Sequence, residues 1–207
     1  IDIIIGQGPS ARSVRLSIPA FTLIGATTKV SLLSSPLRDR FGNIFKLSFY
    51  NTEDILKIIK RTCKILKFNI EDNAALEIAR SSRQTPRIAN RLLRRIRDFA
   101  EVQNKKIISK EISKNALASL GIDQLGLDQA DRDILELIIT KFNGGPIGLS
   151  AMAAAISEEQ NTLEDVYEPY LLKRGLIKRT HRGRIATQTA YEHMGFEYKE
   201  NEQAALL

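Results

Sequence analysis

The sequence has little of several residue types, and each shortage excludes a class of protein. With a single cysteine, Cys63, the chain cannot form an intramolecular disulfide, which is typical of proteins in the reducing cytoplasm. No run of about twenty apolar residues occurs, so we predict no membrane-spanning helix. The opening residues, IDIIIGQGPS, lack the basic region and long apolar stretch of a secretory signal. These absences favour a cytoplasmic protein without a membrane partner.

Acidic residues are fewer than basic ones, 24 against 31, which gives the 207-residue chain a formal net charge of +7. A basic surplus favours an anionic partner such as nucleic acid. The surplus is concentrated in two stretches: residues 173–184 hold six Lys and Arg with no acid, and residues 87–97 hold five arginines. In a helix these five arginines are expected to wind around the axis, solvated and paired with acids three or four positions away.

A phosphate-cradling loop is also absent, because no segment has the spacing GxxxxGK[ST]. The glycine-rich stretch GQGPSARS instead lies between two apolar segments, IDIIIG and SVRLSI, and predicts the tip of a β-hairpin. Residues 21–28, FTLIGATT, predict a strand buried in a parallel sheet, and residues 44–49 predict a second strand. A chain that starts in mid-sheet is expected to be the back part of a larger α/β domain.

The apolar residues change to a helical period after residue 51. Thr52 is predicted to cap a first helix, whose core-facing positions are Ile55, Ile58, Ile59, Ile65 and Leu66. Residues 73–81 predict a second helix, Thr85 with Pro86 begins a third, and a fourth runs from a Ser109 cap to Gly121. Four short helices with tight joints predict a compact helical domain, in which Cys63 is simply packed.

The last third of the chain has the element order of a winged helix-turn-helix. Residues 130–142 and 149–156 predict two helices, the first ended by the glycines at 144 and 145. A third helix is predicted from a capping box of Thr162 and Asp165 to Gly175, with a kink or a delayed start at Pro169. Residues 176–189 then predict two short strands around a basic turn.

The basic turn of this predicted wing is suited to phosphate contact. It contains Arg179, His181, Arg182 and Arg184, with Gly183 allowing a close backbone approach. The helix in front of it is acidic at Glu164, Asp165 and Glu168, which would repel phosphate, so contact is expected to be independent of base sequence. The alternative is a solvated basic hairpin on an ordinary domain.

The stretch SPLRDRFG, residues 35–42, follows a predicted strand that ends at Thr27 and Thr28. A hydroxyl at a strand end can orient a water, and a fixed guanidinium can neutralise charge on a transferring phosphoryl group. The alternative is a local ion pair of Asp39 with Arg38 or Arg40, and one arginine can be structural while the other is presented outward. Arg87, in the first turn of its helix, is a weak anion-site signal by position.

Several segments in register resemble the RuvB family, the bacterial AAA+ ATPases that drive branch migration of Holliday junctions. They are LIGATT, SPLRDRFG, TPRIANRLLRRIRDFAEV, GGPIGLSAMAAAI, EDVYEPYLLKRGLIKRT and RGRIAT. The resemblance extends to about residue 195 and implies an α/β plus all-α architecture. Residues 1–50 would be the C-terminal part of an AAA+ large domain with a β-hairpin, residues 51–122 the small helical lid domain, residues 123–195 a winged-helix DNA-binding domain and residues 196–207 a flexible tail.

The resemblance also implies roles for single residues. Arg40 is similar to the arginine finger that acts in trans on a neighbouring subunit's ATP, which leaves Arg38 as the partner of Asp39. Thr28 resembles sensor 1, with Thr27 as the alternative, and Arg87 resembles sensor 2. Tyr50 and Pro86 are similar to residues that line the adenine pocket.

Partners follow from the same resemblance. Ile3 and Ile5 would contact RuvA, with ordinary strand burial as their alternative, and Arg179, Arg182 and Arg184 would contact duplex DNA. The complete protein is expected to be a homo-hexamer that uses ATP or ADP with Mg²⁺ and has RuvC as a further partner. Both Walker motifs and the Mg²⁺ ligands are expected upstream of Ile1, so the chain alone is expected not to hydrolyse ATP.

Two other functions remain open at this point. A winged-helix DNA-binding regulator without motor activity would need a helix that reads bases, which the acids of the third helix disfavour. Another AAA+ machine, such as a clamp loader, would share the finger and sensors and would not be expected to carry the basic wing.

Overall fold

The computed structural model describes residues 2–6 and 12–198 of the chain. The chain divides into two compact units, Ile1–Leu47 and Ser48–Leu207. Across the described residues, no helix combines the length and the apolar composition needed to cross a bilayer.

The first unit contains the predicted β-hairpin. Strands β1 (Asp2–Ile5) and β2 (Arg12–Arg15) pair antiparallel, with Ile3 opposite Val14 and Ile5 opposite Arg12. The predicted hairpin is therefore confirmed, while its tip at residues 7–11 lies outside the described residues. A single 3₁₀ turn (Val30–Leu32) and the short helix α1 (Ser35–Asp39) follow.

The two strands predicted at residues 21–28 and 44–49 do not form. Both segments lack strand structure, and their apolar side chains are exposed, up to 87% for Ile24 and 91% for Leu47. A buried parallel strand needs a hydrogen-bonding neighbour on each side. Within the described part of the chain no strand lies beside either segment, so an apolar sequence alone does not make them strands.

The second unit begins with a helical domain. Its elements are α2 (Thr52–Ile65), β3 (Asn69–Ile70), α3 (Asp72–Arg80), α4 (Pro86–Val102), β4 (Ile107–Ile108) and α5 (Lys110–Ser119). The two-residue strands β3 and β4 pair in parallel and tie the α2–α3 joint to the α4–α5 joint. The core is aliphatic, with its largest fully buried side chains on α2, α3, α4 and β4: Ile55, Ile59, Ile78, Leu92, Leu93, Ile96 and Ile108. Burying each such side chain contributes about 1.5–3 kcal/mol.

The ends of these helices agree with local capping chemistry, with one shift. Thr85 and Pro86 begin α4 as predicted, and the Ser109 hydroxyl accepts from the amide of Ile112 at the start of α5. The cap of α2 is Asn51 rather than Thr52: the Asn51 side-chain oxygen accepts from the amide of Asp54 at 2.7 Å. The side-chain amide of asparagine caps a helix as well as a hydroxyl does, and Asn51 stands one residue before Thr52, so the cap lies one residue earlier than predicted.

Ile65 of α2 does not lie on the core-facing side that the sequence predicts for it. Ile65 is 65% exposed, whereas Cys63 is buried on the face that carries Ile55 and Ile59. The spacing of four residues from 55 to 59 to 63 keeps to one side of the helix, while residue 65 lies well off that side. Burial raises the pKa of the Cys63 thiol to about 11, which fits a packed side chain.

The winged-helix domain completes the second unit. Its elements are α6 (Gln129–Glu136), α7 (Leu149–Ile156), α8 (Gln160–Thr162), α9 (Glu168–Lys173), β5 (Ile177–Thr180), β6 (Gly183–Ala186) and α10 (Gln188–Met194). It has a second core, separate from the first, which includes Ile134, Leu135, Ile138, Leu163, Leu171 and Leu176. The expected lid and winged-helix architecture is therefore confirmed.

The helix in front of the wing differs from its prediction. The Thr162–Asp165 capping box does not form, because the helical path already begins at α8 and continues through a π-helical turn, Leu163–Tyr167, into α9. Pro169 lies in the first turn of α9, where its missing N–H is not needed. The delayed start predicted from Pro169 is therefore not observed, because the helical path already begins at Gln160; the helix instead changes to the π-helical turn directly before α9.

The wing itself is an antiparallel hairpin with an extra bridge. Ile177 pairs with Ala186, and Thr180 pairs with Gly183. On the outer side of β6, the backbones of Ile147 and Arg184 exchange two hydrogen bonds of 2.9 and 2.8 Å. Gly183 has φ +144°, and a Cβ there would overlap the carbonyl oxygen of Ile147, so only glycine allows this approach.

Candidate functional site

The two strands of the wing each contribute an arginine to a single buried carboxylate. Glu168, at the start of α9, is 3% exposed, and its two oxygens accept from Arg179 (Nε and Nη2, both 2.7 Å) and from Arg184 (Nε 2.8 Å, Nη2 3.1 Å). Two guanidinium groups thus clamp one carboxylate, each through two hydrogen bonds. Burial by itself raises the pKa of Glu168, but the hydrogen bonds and charges of Arg179 and Arg184 outweigh it and hold that pKa below its ordinary value.

This clamp changes the electrostatics expected from the sequence. Glu168 is neutralised by its two arginines, and Glu164 lies 3.3 Å from Arg179, so neither acid faces a ligand alone. Arg179 remains half-exposed, whereas the side chain of Arg184 is only 15% exposed. The arginines at 179 and 184 therefore brace the hairpin.

The turn of the wing is where its cations face solvent. His181 and Arg182 occupy the two residues between β5 and β6, and both are exposed, as is Lys178 on β5. No hydrogen bond or ion pair engages Arg182 in the part of the chain that the structure describes. The turn therefore presents an unneutralised guanidinium on a hairpin that is braced from behind, a geometry suited to a phosphate backbone.

Four arginines of α4 share one face. Arg87, Arg91, Arg94 and Arg95 are all exposed, opposite the buried residues Ala89, Leu92, Leu93 and Ile96, and none has an ion pair among the described residues. The expected solvated surface is confirmed, and the five arginines do not all share a face, because Arg97 lies off the side of the other four. The expected partners three or four residues away are not found for these four among the described residues. Only Arg97 has acid partners, Asp98 at 2.8 Å and Glu101 at 3.4 Å.

The predicted adenine-pocket and sensor 2 residues lie close together. The amide of Tyr50 donates to the carbonyl of Gln84 at 3.1 Å, which fixes the start of the helical domain beside the residues that precede Pro86. Pro86 is half-buried, and Arg87 is exposed in the first turn of the 17-residue helix α4. An exposed arginine at the positive end of a long helix can hold a phosphate group, so the position of Arg87 fits the phosphates of a nucleotide.

The loop before Pro86 has an unusual backbone that the sequence did not indicate. Arg83 (φ +52°) and Gln84 (φ +57°) are consecutive left-handed residues that are not glycine. This conformation costs about 1–2 kcal/mol per residue and persists only where other contacts fix it. The contacts are made by Arg83: its Nε donates to the carbonyl of Gly126 at 2.9 Å, and its Nη2 donates to Asp128 at 3.0 Å and to Asp131.

Asp131 is the buried partner in that group. It has no solvent exposure, its Oδ2 also accepts from the amide of Asp128 at 2.9 Å, and its Oδ1 has no partner. Burial raises the pKa of Asp131 to about 7, although the positive charge of Arg83 opposes the rise. Sequence reasoning missed this group, since its members lie more than forty residues apart, and the only local signal was the D-x-x-D spacing of the α6 capping box.

The predicted arginine finger lies at the end of α1. Arg40 follows the last residue of that helix and is exposed, and it has no ion pair within the described residues. Arg38 donates to the hydroxyl of Ser35 at 3.1 Å, and no ion pair joins either arginine to Asp39. The predicted Arg38–Asp39 pair is therefore wrong, because the helix turns Arg38 toward the residue three positions before it. Arg40 is left with its guanidinium available.

The remaining predicted residues also lie in the first unit. Thr28 is exposed at a bend, and the Thr27 hydroxyl accepts from the amide of Lys29 at 3.0 Å. Ile3 and Ile5 are 42% and 60% exposed on one face of the hairpin. Of the two alternatives for these isoleucines, strand burial is excluded in this structure.

No metal centre is assigned to these residues. The described part of the chain contains no group of three or more His, Cys, Asp or Glu side chains that could hold a metal ion.

Family models match the chain in succession. The model of the Holliday junction DNA helicase RuvB P-loop domain matches residues 1–47, that of the RuvB AAA lid domain matches residues 50–123, and that of the RuvB C-terminal winged helix domain matches residues 124–195. Together they account for nearly the whole chain.

Solved structures of Thermotoga maritima RuvB are similar to the chain at 48% sequence identity. The one described as the RuvB Holliday junction branch migration motor has a TM-score of 0.77 and covers 82% of this chain and 57% of its own. Two point variants of that protein each have a TM-score of 0.82 and cover 90% and 89% of this chain and 62% of their own. The chain thus spans about 57–62% of the length of these relatives.

Proposed function

Because the chain belongs to the RuvB family, we propose that it is part of an ATP-driven motor that moves duplex DNA and so branch-migrates Holliday junctions in recombination and repair. The observation that carries the proposal is the exposed guanidinium of Arg40, which has no acid partner among the described residues. An arginine placed in this way serves an anion that comes from outside its own chain.

The anion is proposed to be the ATP of a neighbouring subunit in a homo-hexameric ring. Arg40 reaches that ATP in trans and stabilises the charge that develops on the transferring phosphoryl group. Thr28 serves as sensor 1 within its own subunit, with Thr27 as the alternative. The 207 residues alone are proposed not to hydrolyse ATP, since they contain no GxxxxGK[ST] segment.

The nucleotide of the chain's own subunit is proposed to lie against Tyr50, Pro86 and Arg87. The hydrogen bond from the Tyr50 amide to Gln84 supports this grouping, since it holds the tyrosine next to the start of α4. Arg87, as sensor 2, contributes positive charge toward the phosphates of ATP or ADP. The magnesium ion that accompanies such nucleotides is proposed to take its ligands from outside the described residues.

DNA is proposed to contact the wing through its exposed turn. Arg182 makes the main phosphate contact, while Arg179 and Arg184 support the hairpin through Glu168 and add positive potential. Contact with phosphates alone carries no base information, so binding is expected to be similar for unrelated duplexes. A large preference for one operator over random DNA would instead favour a winged-helix regulator.

Protein partners are proposed for the first unit. The exposed Ile3 and Ile5 form an apolar face that fits a docking partner, which we propose to be RuvA. RuvC is a further proposed partner of the assembled complex. The complete protein is proposed to work in the cytoplasm.

The test is substitution of Arg40→Ala in the complete protein. ATP turnover is expected to fall at least 100-fold, since removal of an arginine finger lowers kcat by about 10³–10⁵, while ATP binding stays within about twofold. Arg38→Ala is the matched control on the neighbouring helix α1, and it is expected to retain most of the turnover because the Arg38 guanidinium donates to Ser35 within the same helix. Turnover at the wild-type rate in Arg40→Ala would falsify the finger assignment.

A further inference from the structure

The helical and winged-helix domains do not share an apolar core. The buried aliphatic residues of the helical domain pack around α2–α5, and those of the winged-helix domain begin at Leu127. Between them lie polar contacts and the connecting residues 120–127. The relative position of the two domains is therefore set by directional hydrogen bonds and ion pairs, which a single substitution can remove.

Arg83 is the centre of these contacts. It belongs to the helical domain, its side chain is only 12% exposed, and every acceptor of its guanidinium belongs to the winged-helix side. The acceptors are the Gly126 carbonyl and the carboxylates of Asp128 and Asp131, and the guanidinium also lies 5.2 Å from the ring centroid of Tyr170 on α9. One side chain thus holds the connecting segment, the start of α6 and the helix that precedes the wing.

Neighbouring contacts keep the two surfaces at close range. The hydroxyl of Ser81 donates to the carbonyl of Asp123 at 3.3 Å, and Arg132 of α6 donates to the carbonyl of Gly121 at 2.8 Å. Gly126 has φ +76°, and a Cβ there would lie 2.5 Å from the carbonyl oxygen of Ser81. The backbones of the two domains are therefore packed too closely for a side chain between them.

The same short loop carries the candidate nucleotide residues. Arg83 immediately precedes Gln84, whose carbonyl accepts from the Tyr50 amide, and lies four residues before Arg87. Contacts on both sides hold the loop in its left-handed conformation: the winged-helix acceptors bind Arg83, and the Tyr50 amide binds the carbonyl of Gln84. A displacement of the loop at the nucleotide cannot leave the winged-helix contacts unchanged.

We propose that Arg83 is the positioning residue that locks the helical and winged-helix domains into one body, so that movement of the 81–87 loop at the nucleotide is transmitted directly to the wing. This inference rests on the proposed function for its consequence, since a motor has to pass nucleotide-driven motion to DNA. The lock itself is a property of the described contacts. Arginine is required because its planar fork reaches three acceptors at once, which a lysine ammonium on a flexible stem does not.

The lock is tested by distance measurements between spin labels in the whole chain. Labels are attached to cysteines introduced at Lys114 on α5 and Thr189 on α10, both exposed, in a Cys63→Ala background. The wild-type loop is expected to give one narrow distance distribution, and Arg83→Gln is expected to widen it at least twofold. Arg97→Gln, which removes an arginine that pairs only within α4, is the control and should leave the width unchanged.

A second variant guards against loss of folding. Arg83→Lys keeps a positive charge beside the buried Asp131 and still loses the fork, so the distribution is expected to widen while both domains stay folded by circular dichroism. A distribution as narrow as that of the wild type in either folded variant overturns the lock.

The consequence is tested separately in the complete protein. Arg83→Lys is expected to bind ATP and duplex DNA within about twofold of the wild type, whereas branch migration per ATP hydrolysed falls at least tenfold. Unchanged coupling in this variant overturns the transmission role even if the distances widen. If the wild-type protein shows no branch migration at all, the proposed function fails, while the distance result still decides the lock.

Discussion

Glu168 and Arg184 are joined by two hydrogen bonds, Nε to Oε1 at 2.8 Å and Nη2 to Oε2 at 3.1 Å, so that a buried helical carboxylate holds the second strand of the wing. Arg179 holds the first strand to the same carboxylate. The shape of the basic hairpin therefore depends on an acid that, from the sequence, seemed to work against DNA contact. Its removal should loosen the hairpin, because Arg184 would lose its acid partner and Arg179 would keep only the 3.3 Å contact with Glu164.

Glu168→Ala is expected to lower the free energy of unfolding of the winged-helix domain by about 3 kcal/mol, because it leaves Arg184 partly buried without its counter-charge. Glu164→Ala is the matched control, since Glu164 is half-exposed and makes one 3.3 Å contact with Arg179, and it should cost less than about 1 kcal/mol. Urea unfolding of both variants measures the difference. Equal losses would contradict the special role of Glu168.

The stability contributed by Glu168 is expected to depend on pH. Its pKa in the folded protein lies below the ordinary value of 4.5, so the folded state favours the ionised form. The contribution is therefore fully present above about pH 5 and is lost as pH falls through 4.5 and below. The difference in unfolding free energy between wild type and Glu168→Gln should shrink from pH 6 to pH 3, and a difference that grew toward low pH would have the wrong sign.

Arg182→Ala is expected to weaken binding to any duplex without changing the fold. Loss of one phosphate contact should reduce the slope of log K against log salt by about 0.9, by an equal amount for unrelated DNA sequences. Thermal unfolding should stay within about 1 °C of the wild type, because Arg182 is exposed and makes no hydrogen bond or ion pair within the described residues. Arg97→Ala, on the helical domain, is the control for a simple loss of net charge and should leave the slope unchanged.

Gly126→Ala is expected to destabilise the second unit more than Gly175→Ala does. Both glycines have positive φ, +76° and +67°, so each variant carries a backbone cost of about 1–2 kcal/mol. Only at Gly126 does the added Cβ also meet the carbonyl of Ser81, which should add about 1–3 kcal/mol of overpacking. Denaturant unfolding of the two variants measures the difference in free energy of unfolding. Equal losses of stability would mean that the backbones at Gly126 and Ser81 move apart without cost.

Local chemistry made much of this fold predictable. Thr85–Pro86, Ser109 and the basic turn of the wing depend on residues within a few positions of one another, so their caps and turn could be predicted before the structure. The packing of Cys63 was predicted as well. Spacings of three and four residues also place Ile65 off the core face of α2 and four arginines of α4 on one face, and both features follow from the sequence alone.

Non-local contacts were beyond the same reasoning. Residues 21–28 have the composition of a strand, but a strand exists only beside a partner, and the described residues provide none. No residue near Arg83 in the sequence indicates its role, because its acceptors lie 43 to 48 positions away along the chain. The exposure of Ile3 and Ile5 likewise depended on what covers the hairpin, which composition does not reveal.

The backbone bridge between Ile147 and Arg184 affects whether two wing hairpins can pair with each other when they lie close together. A short hairpin ordinarily offers two open edges at which a second hairpin could add by strand pairing. Here Ile147 pairs with the edge of the hairpin formed by β6. The other edge is formed by β5, where Lys178 and the half-exposed Arg179 both carry positive charge. Wings bound side by side on one duplex would therefore repel one another through these charges, or would find the backbone groups of β6 already hydrogen-bonded. They would not pair strand to strand and would stay separate on the same DNA.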